Sequence, residues 1–93
     1  MRTKLYIDGE WRDGSTGATT KVVNPATGDS IAEVALASPD DATAACAAAD
    51  RAQRDWAGVA PRERAEILRA CWQTMMDHQD ELAELIVAEH GKP

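Results

Sequence analysis

A chain of 93 residues with a net charge of −6 has room for one small domain at most. The acidic balance, with no Lys/Arg cluster, argues against nucleic acid and anionic membrane surfaces as partners. Hydrophobic residues make up 44%, but nearly half of them are alanine, Phe is absent, and Leu, Ile and Val together form only about 15% of the chain.

Burial at about 25 cal/mol per Å² must offset roughly 1–2 kcal/mol of backbone entropy per residue. An alanine-rich core has little area with which to do so, so the chain is expected to be marginal alone and to pack against more protein. Met1-Arg2-Thr3-Lys4 is a positive start, yet the apolar run Leu5-Tyr6-Ile7 stops at Asp8. That is too short for a signal-peptide core or a membrane span. The two cysteines, Cys46 and Cys71, fall mid-helix and fit a reducing compartment, so cytoplasm is the expected location.

Residues 4–12 read as a hairpin, with Leu5-Tyr6-Ile7 and Glu10-Trp11-Arg12 around an Asp8-Gly9 type I′ turn. Residues 13–19 are polar and glycine-rich and read as a connector. Gly14 and Gly17 fit no phosphate-cradling spacing. A second hairpin follows, Thr20–Asn24 against Ser30–Ala35, turning through Asn24-Pro25-Ala26-Thr27-Gly28-Asp29. Alternation places Ala32, Val34 and Leu36 on one face, with Ile31 and Glu33 on the other. Two hairpins without a third layer leave open edges for other protein to cover.

Ser38-Pro39-Asp40-Asp41 signals a helix start, with a capping serine, proline in the first turn and two carboxylates at the positive end of the dipole. This helix is expected over about 39–57, with Ala42, Ala45, Cys46, Ala49, Ala52 and Trp56 on one stripe and Asp50–Arg54 as an exposed i,i+4 pair. Pro61 starts a second helix. Ala65, Leu68, Trp72 and Met75 mark its apolar stripe, and the same register continues through Leu82 and Ile86. The polar insert Asp77-His78-Gln79-Asp80 predicts a break, giving helices at about 61–77 and 79–90. Gly91 is a natural C′ residue and Pro93 cannot extend the helix. The fold class is therefore α+β, two N-terminal hairpins and then two or three helices.

Tempting sites have plainer readings. Cys46 and Cys71 sit in amphipathic helices without a nearby His and read as small packing residues. His78 and His90 lack zinc-site spacing with Asp77, Asp80 or Glu89 and read as solvated helix-end residues. Asp77, Asp80, Glu81 and Glu84 have no calcium-loop pattern and read as a wet helix face. Trp11, Trp56 and Trp72 read as core or interface anchors. Lys92 lacks the glycines and Ser/Thr of a phosphate loop.

Taken in order, Asp8-Gly9-Glu10-Trp11, Val23-Asn24-Pro25-Ala26-Thr27-Gly28, Asp41 with the alanines after it, Trp56, Arg64 with Leu68, Leu82, and Glu89-His90-Gly91-Lys92-Pro93 resemble the N-terminal segment of the aldehyde dehydrogenase superfamily. The run Met75–Ala83 looks most like the bacterial succinate-semialdehyde dehydrogenase branch. Ala60, where the family often has Ser or Thr, and Asp29, where Glu is commoner, depart from its pattern.

The resemblance implies that residues 1–93 are an incomplete N-terminal portion of the NAD(P)-binding domain, the outer part of a Rossmann-like unit, with hairpins within 4–36. It implies a parent enzyme that oxidises an aldehyde to its acid through a cysteine thioester, with hydride passing to NAD or NADP. It also implies a homo-oligomer, dimer or tetramer, and the remainder of the chain as packing partner. None of the catalytic or dinucleotide-binding residues falls in this segment. The one site feature that the resemblance carries over is a monovalent cation held by the backbone carbonyls of Val22 and Val23. The alternative expectation is a stand-alone, non-catalytic module that binds a partner through its hairpin edges and alanine-rich helix.

Overall fold

The computed structural model describes residues 2–91. Four short strands precede three helices: β1 (Leu5–Ile7), β2 (Glu10–Arg12), β3 (Thr19–Val23), β4 (Ser30–Ala35), α1 (Pro39–Ala57), α2 (Pro61–Asp77) and α3 (Gln79–His90). The strands form two separate antiparallel hairpins, β1–β2 and β3–β4. This is the α+β order expected from the turn and cap residues. The expected helix stop at Lys92-Pro93 lies outside the described residues.

Local chemistry accounts for the turns. Asp8 and Gly9 both have positive φ, 54° and 78°, as a two-residue turn matched to strand twist requires. In the second turn the Asn24 side chain accepts from the Ala26 N–H at 2.9 Å, and the Asn24 carbonyl accepts from the Gly28 N–H at 2.8 Å. The Asn24 N–H closes the turn on the Asp29 carbonyl, also at 2.9 Å.

The β3–β4 ladder pairs Val22 with Ala32 but Val23 with Ser30. Ile31 is thus an extra residue, and a bulge breaks the simple two-residue alternation. Ala32 and Val34 of the expected dry face are half-buried, joined by Ile31 and Ala35, and Leu36 is exposed.

The α1 N-terminus is tied to the loop before β3. Asp41, 5% exposed, is the one buried polar or charged side chain among the described residues. Its Oδ2 accepts from the Ser15 N–H at 2.9 Å, the Ser38 N–H at 2.8 Å and the Ser38 hydroxyl at 3.0 Å. Ser38 Oγ in turn accepts from the Asp41 N–H at 3.2 Å, which completes a capping box. Gly14 sits beneath this clamp, buried, where a β-carbon would collide with the Leu36 carbonyl. The clamp also sets the rotation of α1. Asp41, Ala44, Ala45 and Ala48 face inward, and Arg51 reaches Asp8 at 3.2 Å. Of the expected stripe, Ala45 and Trp56 are half-buried, whereas Ala42, Cys46, Ala49 and Ala52 are exposed.

The break after α2 falls at His78, which caps both α2 and α3. His78 Nδ1 donates to the Thr74 carbonyl at 2.9 Å, the acceptor that the His78 backbone N–H needs to continue the helix. The N–H turns instead to Met75 O at 3.2 Å. At the far end of α3, Gly91 has φ 68°, and a β-carbon there would lie 2.8 Å from Ala26 N. The end of the third helix rests on the Asn-Pro-Ala-Thr-Gly turn.

No hydrophobic side chain among the described residues is fully buried. The Cα radius of gyration is 16.7 Å, against about 12 Å for a compact domain of this length. The molecule is an open plate, 48 × 34 × 15 Å, with hairpins that its own helices do not seal.

Two consequences are measurable by urea unfolding followed through tryptophan fluorescence. Gly14→Ala should destabilise by about 1–3 kcal/mol, because backbone must move to admit the methyl group. Gly58→Ala, at φ −81° with its nearest neighbour atom 3.5 Å from the new methyl, should change stability by less than about 1 kcal/mol. Hydrogen bonds from the Ser38 and Ser15 backbones, with the Ser38 hydroxyl and the charge of Arg12, lower the Asp41 pKa below 3.8 despite the opposing cost of burial. A depressed carboxylate contributes its stability fully above 3.8 and loses it as pH falls through the folded value. The stability gap between wild type and Asp41→Asn should therefore be largest near neutrality and shrink below pH 3.8.

Candidate functional site: an uncovered apolar face

The residues with reactive chemistry do not converge. Cys46 and Cys71 are free and exposed, so the expected packing role is not met within this chain. Cys46 lies on the part of α1 that the Asp41 clamp turns outward. His78 and His90 donate from Nδ1 to helix carbonyls, Thr74 at 2.9 Å and Ile86 at 3.1 Å, as helix-end residues do. No group of three or more His, Cys, Asp or Glu able to hold a metal ion occurs among the described residues. Trp11 stacks on Tyr6 with centroids 4.8 Å apart, and the Arg2 guanidinium carbon lies 4.8 Å from its ring centre. Trp56 is half-buried in a shallow groove with Ala49, Ala52, Gln53, Asp55 and Val59.

Val22 and Val23 flank the register shift in the β3–β4 ladder, with Val22 half-buried and Val23 exposed. Two consecutive backbone carbonyls supply at most part of a cation's oxygen shell, as hard cations take about six or more such ligands.

What the fold does assemble is apolar surface. Leu68, Trp72 and Met75 are 62%, 55% and 61% exposed along α2, and Ile86 is 56% exposed on α3. Leu68, Trp72 and Met75 keep the three-and-four spacing of one face of α2, and Ile86 lies beyond the break on α3. The structure leaves that face bare. Only Leu85 and Ala88 of α3 turn inward, half-buried, lining a groove with Arg2 and Ile31. Full burial of four large side chains is worth about 6–12 kcal/mol, comparable to the entire net stability of a typical domain. Exposed apolar side chains gathered along one face make it a candidate docking surface for protein.

Sequence reasoning read Asp41 only as a helix-dipole carboxylate. The Ser-x-x-Asp pattern of 38–41 was the available signal for its capping-box role. Nothing local announced its bond to Ser15, 26 residues away. Arg12 was also missed, and its Nε is buried without a hydrogen-bond partner.

The bare face has a direct readout. The 93-residue chain should enhance the fluorescence of an apolar-surface dye, and the double variant Leu68→Glu/Met75→Glu should abolish most of that signal without lowering the unfolding midpoint. An unchanged signal would place the exposed apolar surface elsewhere.

Residues 11–93 match the family model for the aldehyde dehydrogenase family. Across its whole length the chain is 44% identical to succinate-semialdehyde dehydrogenase (NADP+) GabD of Escherichia coli strain K12, covering 19% of that protein. It superposes with a TM-score of 0.95 and 43% identity on an NADP-dependent enzyme of E. coli, covering 99% of this chain and 19% of the other. On betaine aldehyde dehydrogenase of Staphylococcus aureus, solved in complex with NAD+, the TM-score is 0.93 at 30% identity, with 98% and 19% covered. The chain thus spans about a fifth of the length of these relatives, and its hairpins, turns and helices coincide with theirs. It belongs to the aldehyde dehydrogenase family.

Proposed function

We propose that residues 1–93 are the N-terminal portion of the NAD(P)-binding domain of an enzyme that oxidises an aldehyde to its carboxylic acid, and that their task is structural. The observation that carries this reading is the bare face of Leu68, Trp72, Met75 and Ile86 on a chain that matches such enzymes along its whole length. The remainder of the polypeptide covers that face, and the assembled enzyme is a homo-oligomer, dimer or tetramer, in a bacterial cytoplasm. Free thiols at Cys46 and Cys71 suit that compartment. Succinate semialdehyde is the proposed substrate, supported by the 44% identity to an enzyme of that name.

The dinucleotide site belongs, on this reading, outside these residues. Gly14 is packed against the Leu36 carbonyl, and the loop leads into a strand rather than a helix N-terminus. The chemistry and the choice between NAD and NADP therefore reside in sequence beyond this segment. The Val22 and Val23 carbonyls fit a supporting role, two ligands of a monovalent cation whose other oxygens come from elsewhere in the enzyme.

The stand-alone interaction module is disfavoured by the absence of any fully buried hydrophobic side chain among the described residues. Such a module would form a defined oligomer as isolated protein.

Activity separates the two readings. The 93-residue chain should give no aldehyde-dependent reduction of NAD or NADP at 340 nm, whereas a polypeptide continuing to full family length from the same reading frame should reduce one of them with succinate semialdehyde. Turnover by the short chain, or none by the long one with any aldehyde offered, would overturn the proposal.

A further inference from the structure

We draw no further inference here: the strongest candidate, the bare apolar face that Leu68, Trp72, Met75 and Ile86 form across α2 and α3, carries nothing beyond the proposal already made, because nothing in the structure shows what else covers it.

Discussion

Of the three hydrogen bonds that converge on Asp41 Oδ2, two build the α1 cap and the third, from the Ser15 N–H 26 residues away, ties that cap to the loop before β3. Strands this short and two-stranded are marginal in water, and a helix of alanines has little apolar area to bury. A carboxylate that bonds both its own helix cap and the Ser15 backbone supplies the long-range tie that packing does not. It fixes where α1 begins and how it is rotated, and so which alanines meet the hairpins. Gly14 is the steric counterpart, since the loop reaches the clamp only where no β-carbon intervenes between it and the Leu36 carbonyl. With α1 set, Arg51 is aligned with Asp8 across the first hairpin turn. That pair is well exposed and adds little stability by itself.

How much of this was legible in the sequence follows from the range of the interaction involved. The Asp8-Gly9 turn, the Asn24–Asp29 turn, the helix starts at Pro39 and Pro61 and the left-handed Gly91 are decided within a few residues, and each stands where its residues placed it. The missing cap at Ala60, flagged as a departure from the family pattern, is likewise visible as a helix start with no side-chain bond. Which residues of α1 turn towards the hairpins follows in part from Asp41 reaching Ser15, a bond that periodicity does not contain. In β4, Ala32 and Val34 are half-buried where the alternation placed them, whereas Ile31 sits in the bulge and Leu36 falls past the strand end, so neither follows it. Cys46 looked like a packing residue on an apolar stripe, and it is among the members of that stripe that are exposed. The Val22 and Val23 carbonyls are a matter of backbone, and side-chain identity there carries almost no signal.

The apolar stripe of α2 was read correctly as a stripe, though periodicity alone did not say what it packs against. Among the described residues its large side chains, Leu68, Trp72 and Met75, stay more than half exposed. Amphipathic helices of this kind draw most of their stability from the partner of the apolar face rather than from propensity. The segment thus has its long-range tie where cap and clamp operate, at the α1 N-terminus, and little cover at α2. That gradient suits a segment whose role is to join a larger body, because the energy of covering the α2 and α3 face is released on assembly. Its membership of the aldehyde dehydrogenase family, at about a fifth of the length of its relatives, is consistent with a part whose catalytic counterparts lie outside it.

Amide hydrogen exchange along α2, compared between the 93-residue chain and a polypeptide of full family length, tests the central claim most directly. The account requires the amides of Leu68, Trp72 and Met75 to exchange near free-peptide rates in the short chain and to be strongly protected in the long one, while the α1 amides near the Asp41 clamp are slower to exchange in the short chain than those of α2. Equal and strong protection of α2 in both would mean that the helix needs no cover, and would contradict it.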